Sequence, residues 1–172
     1  MLQKLNGIDN IPLVINGELR RILLEFFDHS ESKKYVFNKY HSNAPLGNLS
    51  IMRPSHFSNP YPMCNAHEKS LLDIYNATED REIVVVKHLL TILHSSDEIK
   101  RIQTTLRGKD LVCCCSPKIC HGDILTFIAN YPTEFKDRLK QLILFISEQN
   151  HQDKEVTSWK HYTRLVLTLS NI

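Results

Sequence analysis

No long hydrophobic run exists anywhere in this chain of 172 residues. The most apolar stretch, Ile83 to Leu93, is interrupted by Lys87 and His88 and is far too short to span a bilayer. No membrane association is expected. The opening residues, Met1 to Asn10, hold no apolar core and no cleavage-type run, which argues against a secretory signal. Charge of one sign is missing too: 21 lysines and arginines face 19 acids, a formal +2. Modules that hold nucleic acid by electrostatics are usually far more basic, so charge does not imply a nucleic-acid partner, although it allows one. Internal repeats and low-complexity linkers are absent. So is a disulfide framework. The cysteines are Cys64, Cys113, Cys114, Cys115 and Cys120, four of them in one short segment, whereas staples join distant parts of a chain. Neighbours such as Cys113 and Cys114 pair only with backbone distortion. A reducing cytoplasm is the expected location.

What is present suits a folded domain. Hydrophobic residues make up 42% and charged residues 23%, too much apolar material for a disordered chain. One domain over residues 1–172 is expected. Leu19, Ile22, Leu23 and Phe26 recur at helical spacing within Asn16 to Ser30. Tyr35 to Asn38 and Leu49 to Met52 read as short strands. From Arg53 to Pro62 three prolines exclude a helix interior, leaving an ordered polar loop. Helices are expected from about Ala77 to Leu93, where acids sit in the first turn, and from Ser95 to Arg107, stopped by Gly108. Lys109 to Cys115 is the clearest strand, apolar enough to be buried on both faces. A turn over Ser116 to Ile119 leads to a helix from His121 to Ala129, with further helices near Thr133 to Glu148 and Val156 to Leu169. Strands alternating with helices predict an α/β layered domain with a largely parallel sheet, the terminal helices covering its faces or edges. Ligands bind such sheets outside the carboxyl ends of the strands. That rule puts the loop after Met52 and the turn after Cys115 at one edge.

The densest chemical signal is Cys113-Cys114-Cys115-Ser116-Pro117-Lys118-Ile119-Cys120-His121. Three readings compete. Cysteine is among the most buried residue types, and simple packing suits Cys113 and Cys114 best. As a second reading, Cys113, Cys115, Cys120 and His121 form a tetrahedral zinc set. Against it, strand geometry spaces Cys113 and Cys115 about 6.5 to 7 Å apart, and the C-x-C-x4-C-H spacing is not a familiar finger or ribbon. The expectation is therefore no metal and no cofactor, with zinc as the alternative. The third reading makes Cys120 a free, reactive thiol of lowered pKa at a helix N-terminus. His121 would relay a proton and Asp123 would orient it. Cys120, His121 and Asp123 are thus the catalytic candidates.

A second cluster is Arg53-Pro54-Ser55-His56-Phe57-Ser58-Asn59-Pro60-Tyr61. Arginine offers a fixed fork for phosphate or carboxylate. Asn59 both donates and accepts, and Phe57 and Tyr61 are rings on which a base stacks. The opposing reading is that proline-rich turns need Asn and Ser for their own backbone. The ligand-binding candidates are Arg53, Ser55, Asn59 and Tyr61, together with Cys115 from the first cluster.

Taken together, Val36, Asn38, Lys39, then Ile51, Arg53, Pro54, Ser55, Phe57, Asn59, Pro60, Tyr61, then Leu106 to Lys109, Leu111, Cys113, Cys115, Pro117, Cys120 to Asp123 and Leu125 resemble the domain of unknown function 4326 family. The resemblance runs from about Tyr35 to Asn130. It leaves an N-terminal helix (1–34) and C-terminal helices (131–172) outside a core of about 35–130. Arg81 to Val84 resembles the family's helix after the Asn-Pro turn. Met52 and Ser58 stand where the family usually has glycine, and Cys114 where it usually has an aromatic residue. The resemblance implies a bacterial, phage or viral source, in the last case a host cytoplasm, and carries no established activity. The strand, cysteine turn and Cys-His helix start are also similar to the domain of unknown function 488 family, which implies a Rossmann-like layout and a nucleotide or nucleic-acid-related ligand.

Three functions follow as expectations. The first is binding or processing of a small phosphate- or base-containing ligand, with Arg53 and the N–H groups of His121 and Gly122 holding an anion. The second is a Cys/His metal-stabilised binding module. The third is a viral interaction protein acting on a host partner through its terminal helices. The sequence names no protein partner.

Overall fold

Leu111, Val112 and Cys113 are buried one after another, and a strand covered on both faces belongs in the middle of a sheet. In the computed structural model that is its place. The structure describes residues 35–40, 44–61 and 78–152, with Arg21, Leu24 and Glu25. These residues form β1 (Val36–Asn38), β2 (Leu49–Ser50), α1 (Thr78–Leu93), α2 (Ser96–Thr105), β3 (Leu111–Cys113), α3 (His121–Asn130) and α4 (Pro132–Gln152). The strand order is β1-β3-β2. Both pairings are parallel, so Leu111 lies between Val36 and Leu49, and Val112 between Phe37 and Ser50.

The α/β expectation holds, and β3 is central. Its length differs from the expectation: the strand stops at Cys113 rather than Cys115, and Cys114 turns outward into solvent. β2 is also shorter than expected, although Ile51 still donates to the Val112 carbonyl at 3.0 Å. Cys64 and the helix expected over Val156 to Leu169 lie outside the described residues. So does nearly all of the helix expected over Asn16 to Ser30. No helix among the described residues is long and apolar enough to cross a membrane.

Helix α3 is the hub. It packs against β1 and β3 on one side and against α1, α2 and α4 elsewhere. Ile124, Leu125, Thr126, Phe127, Ile128 and Ala129 are all buried, as a helix surrounded by other elements requires. α2 begins at an N-cap, Ser95, whose side chain accepts from the Glu98 N–H, with Asp97 and Glu98 in the first turn. It is followed by Gly108 at φ +68°, a left-handed position that favours glycine. Gly108 N–H donates to the Asn130 side chain at 2.7 Å, joining the start of β3 to the end of α3. Pro132 opens α4, where its missing N–H costs the helix nothing.

One contact sets how near α3 comes to the sheet. A Cβ on Gly122 would lie 2.8 Å from Ile51 Cδ1 and 3.0 Å from Val36 Cγ1. Ile51 Cδ1 ends a flexible side chain, but Val36 is β-branched and stiff. Alanine at this position adds helix propensity of about 1 kcal/mol against an overpacking cost of about 1–3 kcal/mol. Gly122→Ala is therefore expected to lower stability by up to about 2 kcal/mol in urea denaturation. Adding Ile51→Val, which deletes the atom at 2.8 Å, should recover part of the loss.

Candidate functional site

β2 and β3 end at the same edge, and each runs into one of the two motif loops. A cavity of about 410 Å3 lies between them, within the size range of small-molecule sites. Met52, Arg53, Asn59 and Tyr61 line it from the first loop. Cys113, Cys114, Cys115, Ile119, Cys120 and His121 line it from the second, and Arg81, Val84 and Val85 from α1. Segments some sixty residues apart in the chain thus share one cavity, at the strand ends where parallel sheets place ligands.

The cysteine turn is tied down by β1. The Asn38 side chain, buried at 2% exposure, donates to the Ser116 carbonyl at 2.6 Å and the Cys114 carbonyl at 3.3 Å. It also accepts from the Tyr40 N–H at 2.8 Å. Ser116 Oγ donates to the Val36 carbonyl at 2.8 Å. The chain therefore leaves the strand conformation at Cys113 and folds back. Cys115 N–H donates to Cys113 Sγ at 3.2 Å, and the sulfurs of Cys113, Cys114 and Cys115 all lie within 4.8 Å of one another. The separation expected for Cys113 and Cys115 does not apply, because the rise of a strand governs only residues still in the strand.

Cys120 is the N-cap of α3. Its sulfur accepts from Gly122 N–H at 3.3 Å, and the Asp123 carboxylate accepts from Cys120 N–H at 3.0 Å, a capping box built on a thiol. Asp123 is thereby placed at the cap. His121, to which a relay assigned it, has its ring nitrogens facing the Ile51 carbonyl at 3.2 Å and Cys120 Sγ at 3.8 Å. Gly122 N–H, expected to hold an anion, is likewise used within the cap.

The expectation of a lowered Cys120 pKa is corrected. Cys120 is 1% exposed and its thiol donates to Cys113 Sγ at 2.9 Å. Although the bond with Cys113 pulls it down, the neighbouring Cys115 and burial push the Cys120 thiol well above its ordinary value. Helix-dipole stabilisation of a thiolate is a few tenths to 1 kcal/mol at an exposed terminus, and desolvation outweighs it here. The low position belongs to the half-buried Cys115. Hydrogen bonds from Cys113, Cys114 and Cys120 hold it far below the usual range, with a further pull from the Arg81 charge. Bonds with Cys114, Cys115 and Cys120, added to burial, push Cys113 far upward. Burial also keeps His121 below its ordinary value. His88 meets the His121 ring edge-on at 5.3 Å. It is fully buried, neither of its ring nitrogens has a hydrogen-bond partner among the described residues, and burial holds it well below the usual histidine range.

The first loop is largely occupied with itself. Asn59 donates to the Val84 carbonyl at 2.9 Å, holding the loop to α1, and accepts from Tyr61 N–H at 3.0 Å within the loop. Ser55 is outside the cavity lining, and its hydroxyl accepts from Phe57 N–H at 3.3 Å. Ser58, where the family usually has glycine, is buried and donates to the Ser55 carbonyl at 2.7 Å. Phe57 is buried in the core, which removes it as a stacking platform. Tyr61 is buried as well, but it lines the cavity while its hydroxyl bonds Thr91 at 2.8 Å. Arg53 reaches the Asn59 carbonyl through Nε and Nη2 at 3.3 and 3.2 Å and stays exposed. Two site residues lay beyond the sequence reading: Arg81, buried at the cavity wall, and Asn38, a motif position without an assigned role. A lone polar residue closing a strand was the signal for Asn38; Arg81 stood in the segment that resembles the family's helix, likewise without a role.

Two outcomes are expected. Asn38→Ala should cost about 1–3 kcal/mol in chemical denaturation, the net worth of two lost hydrogen bonds to the turn carbonyls. Asn38→Asp should not restore it, because an ionised carboxylate has no hydrogen to donate. In reduced protein, iodoacetamide followed by peptide mass spectrometry should mark Cys114 and Cys115 before the buried Cys113 and Cys120.

A family model described as "Domain of unknown function (DUF4326)" matches residues 36–131, taking in all three strands, both motif loops and α3. No curated protein and no solved structure matches the chain. With more than half of its length under that one family model, the chain belongs to the domain of unknown function 4326 family.

Proposed function

We propose that the cavity binds, and its cysteine-histidine wall acts on, a small nucleotide, nucleoside or nucleic-acid-derived ligand. The observation that carries the proposal is the meeting of both motif loops at the carboxyl ends of parallel strands, around one cavity with two arginines. Arg53, exposed at the loop, and Arg81, buried behind it, supply positive charge for a phosphate. Val84, Val85, Ile119 and the Tyr61 ring supply an apolar wall for a base. Cys115, Cys120 and His121 are the groups on that wall with chemistry to offer. The near-neutral charge of +2 favours a small ligand over a polymer. On the same reading, β1-β3-β2 with α3 packed against it is a reduced Rossmann-like layout.

Thermal-shift and calorimetric titration of the full chain with matched bases, nucleosides and nucleotides tests this. Phosphorylated members should stabilise the protein more than their nucleosides. Arg53→Ala should weaken nucleotide binding by about 10- to 100-fold, the value of a charge-assisted hydrogen bond, and leave nucleoside binding nearly unchanged. No stabilisation by any member of the panel would end the proposal.

A further inference from the structure

We propose that Cys113 Sγ, Cys120 Sγ and His121 Nδ1 form a transition-metal site suited to zinc, set in the wall of the cavity. The inference does not depend on the nucleotide reading. These three residues come from the end of β3, the N-cap of α3 and its first residue, and their ligand atoms lie within 4.8 Å of one another. Two thiolates and an imidazole are a donor set that zinc takes in tetrahedral geometry. With zinc–sulfur bonds of about 2.3 Å and a zinc–nitrogen bond of about 2.0 Å, tetrahedral angles put ligand atoms about 3.5 to 3.8 Å apart. Cys120 Sγ and His121 Nδ1 are 3.8 Å apart. The two sulfurs, 2.9 Å apart, need to open by somewhat under about 1 Å to reach tetrahedral spacing.

The surroundings distinguish this set from chance clustering. Metal-bound histidines nearly always give their second N–H to a carbonyl or carboxylate, which sets the tautomer. A carbonyl oxygen only accepts, so the 3.2 Å contact with Ile51 puts the proton on His121 Nε2. The lone pair is then on Nδ1, the nitrogen that faces the sulfurs. Each thiol also has a backbone N–H aimed at it: Cys115 N–H at 3.2 Å from Cys113 Sγ and Gly122 N–H at 3.3 Å from Cys120 Sγ. Such donors favour thiolate, the form that binds metal. A redox pair of Cys113 and Cys120 would account for the two sulfurs but leave the preset histidine without a use. Three protein ligands on a cavity wall leave the fourth position to whatever the cavity holds, the arrangement of catalytic rather than closed structural zinc sites. On binding, the two thiols release their protons to solvent and the metal is not reduced or oxidised.

The test uses the full chain, purified anaerobically without chelator. Elemental analysis should find close to one zinc per chain. Metal-free protein titrated with cobalt(II) should develop the thiolate charge-transfer and visible bands of a tetrahedral site, and zinc should displace them. Cys120→Ser and His121→Ala should lower zinc affinity by more than about 100-fold, beyond the 10- to 100-fold that outer-shell changes cost. Cys114→Ser, Cys115→Ser and Cys64→Ser should keep full stoichiometry. The wild-type cobalt spectrum carries the test even if a ligand variant fails to fold. The site is overturned by wild-type protein that holds no zinc and gives no cobalt bands. Full stoichiometry in folded Cys120→Ser and His121→Ala, loss in Cys115→Ser, or a Cys113–Cys120 disulfide in freshly isolated protein would overturn it equally.

Discussion

How closely the first turn of α3 approaches the sheet decides the rest of the structure. At Gly122 there is no room for a Cβ against Ile51 and Val36, so the helix backbone sits directly on these two side chains. That approach delivers the His121 ring to the Ile51 carbonyl and the Cys120 sulfur to Cys113. It also seats the apolar faces of α3 among β1, β3 and three helices, where each fully buried Leu, Ile or Phe is worth about 1.5–3 kcal/mol. Fold and site therefore share a single contact. A change that moves α3 outward loosens the core and spreads the thiols together.

The cysteine turn is held from outside as firmly as from within. Asn38 closes β1 by binding two carbonyls of the turn, and Ser116 binds back to Val36. These bonds replace strand pairing beyond Cys113, and they explain why the apolar run from Leu111 to Cys115 is a strand only as far as Cys113. Sulfurs that a continuous strand would have kept apart are gathered instead. Hydrogen bonds among the sulfurs, with burial added, then set them apart: Cys113 and Cys120 are pushed up and the half-buried Cys115 down. A metal ion at Cys113 and Cys120 would reverse that order, because a coordinating thiol is deprotonated outright.

Two functions were open to the polar residues of the first loop, and the structure divides them. Asn59, Ser55 and Ser58 satisfy backbone groups of their own loop or of α1, as buried polar atoms generally must. Arg53 and Tyr61 line the cavity beside Ser58 and Asn59, and of these four only Arg53 is exposed. The share of binding chemistry borne by this loop is consequently smaller than its composition suggests, and charge dominates it. Arg81 joins from α1, whose other buried positions are apolar apart from His88 and Thr91.

Much was legible without coordinates. The parallel α/β class, the central place of Leu111 to Cys113, the capped start of α2, the stop at Gly108 and the helix after His121 follow from periodicity, capping residues and turn chemistry, which act over a few neighbours. The convergence of the Arg53 loop and the cysteine turn was legible in outline, since parallel strands point their carboxyl ends one way. Sulfur–sulfur distances, the state of Cys120, the use of Asn59 and Asp123 within the backbone, and the arrival of Arg81 were not. Each depends on which atoms from distant segments come within about 3 to 4 Å, and on how much water they lose there. Local sequence determined the elements and the residues offered at their ends; only the packing of α3 on the sheet decided which of those residues face the cavity, which hold the fold, and which thiols meet.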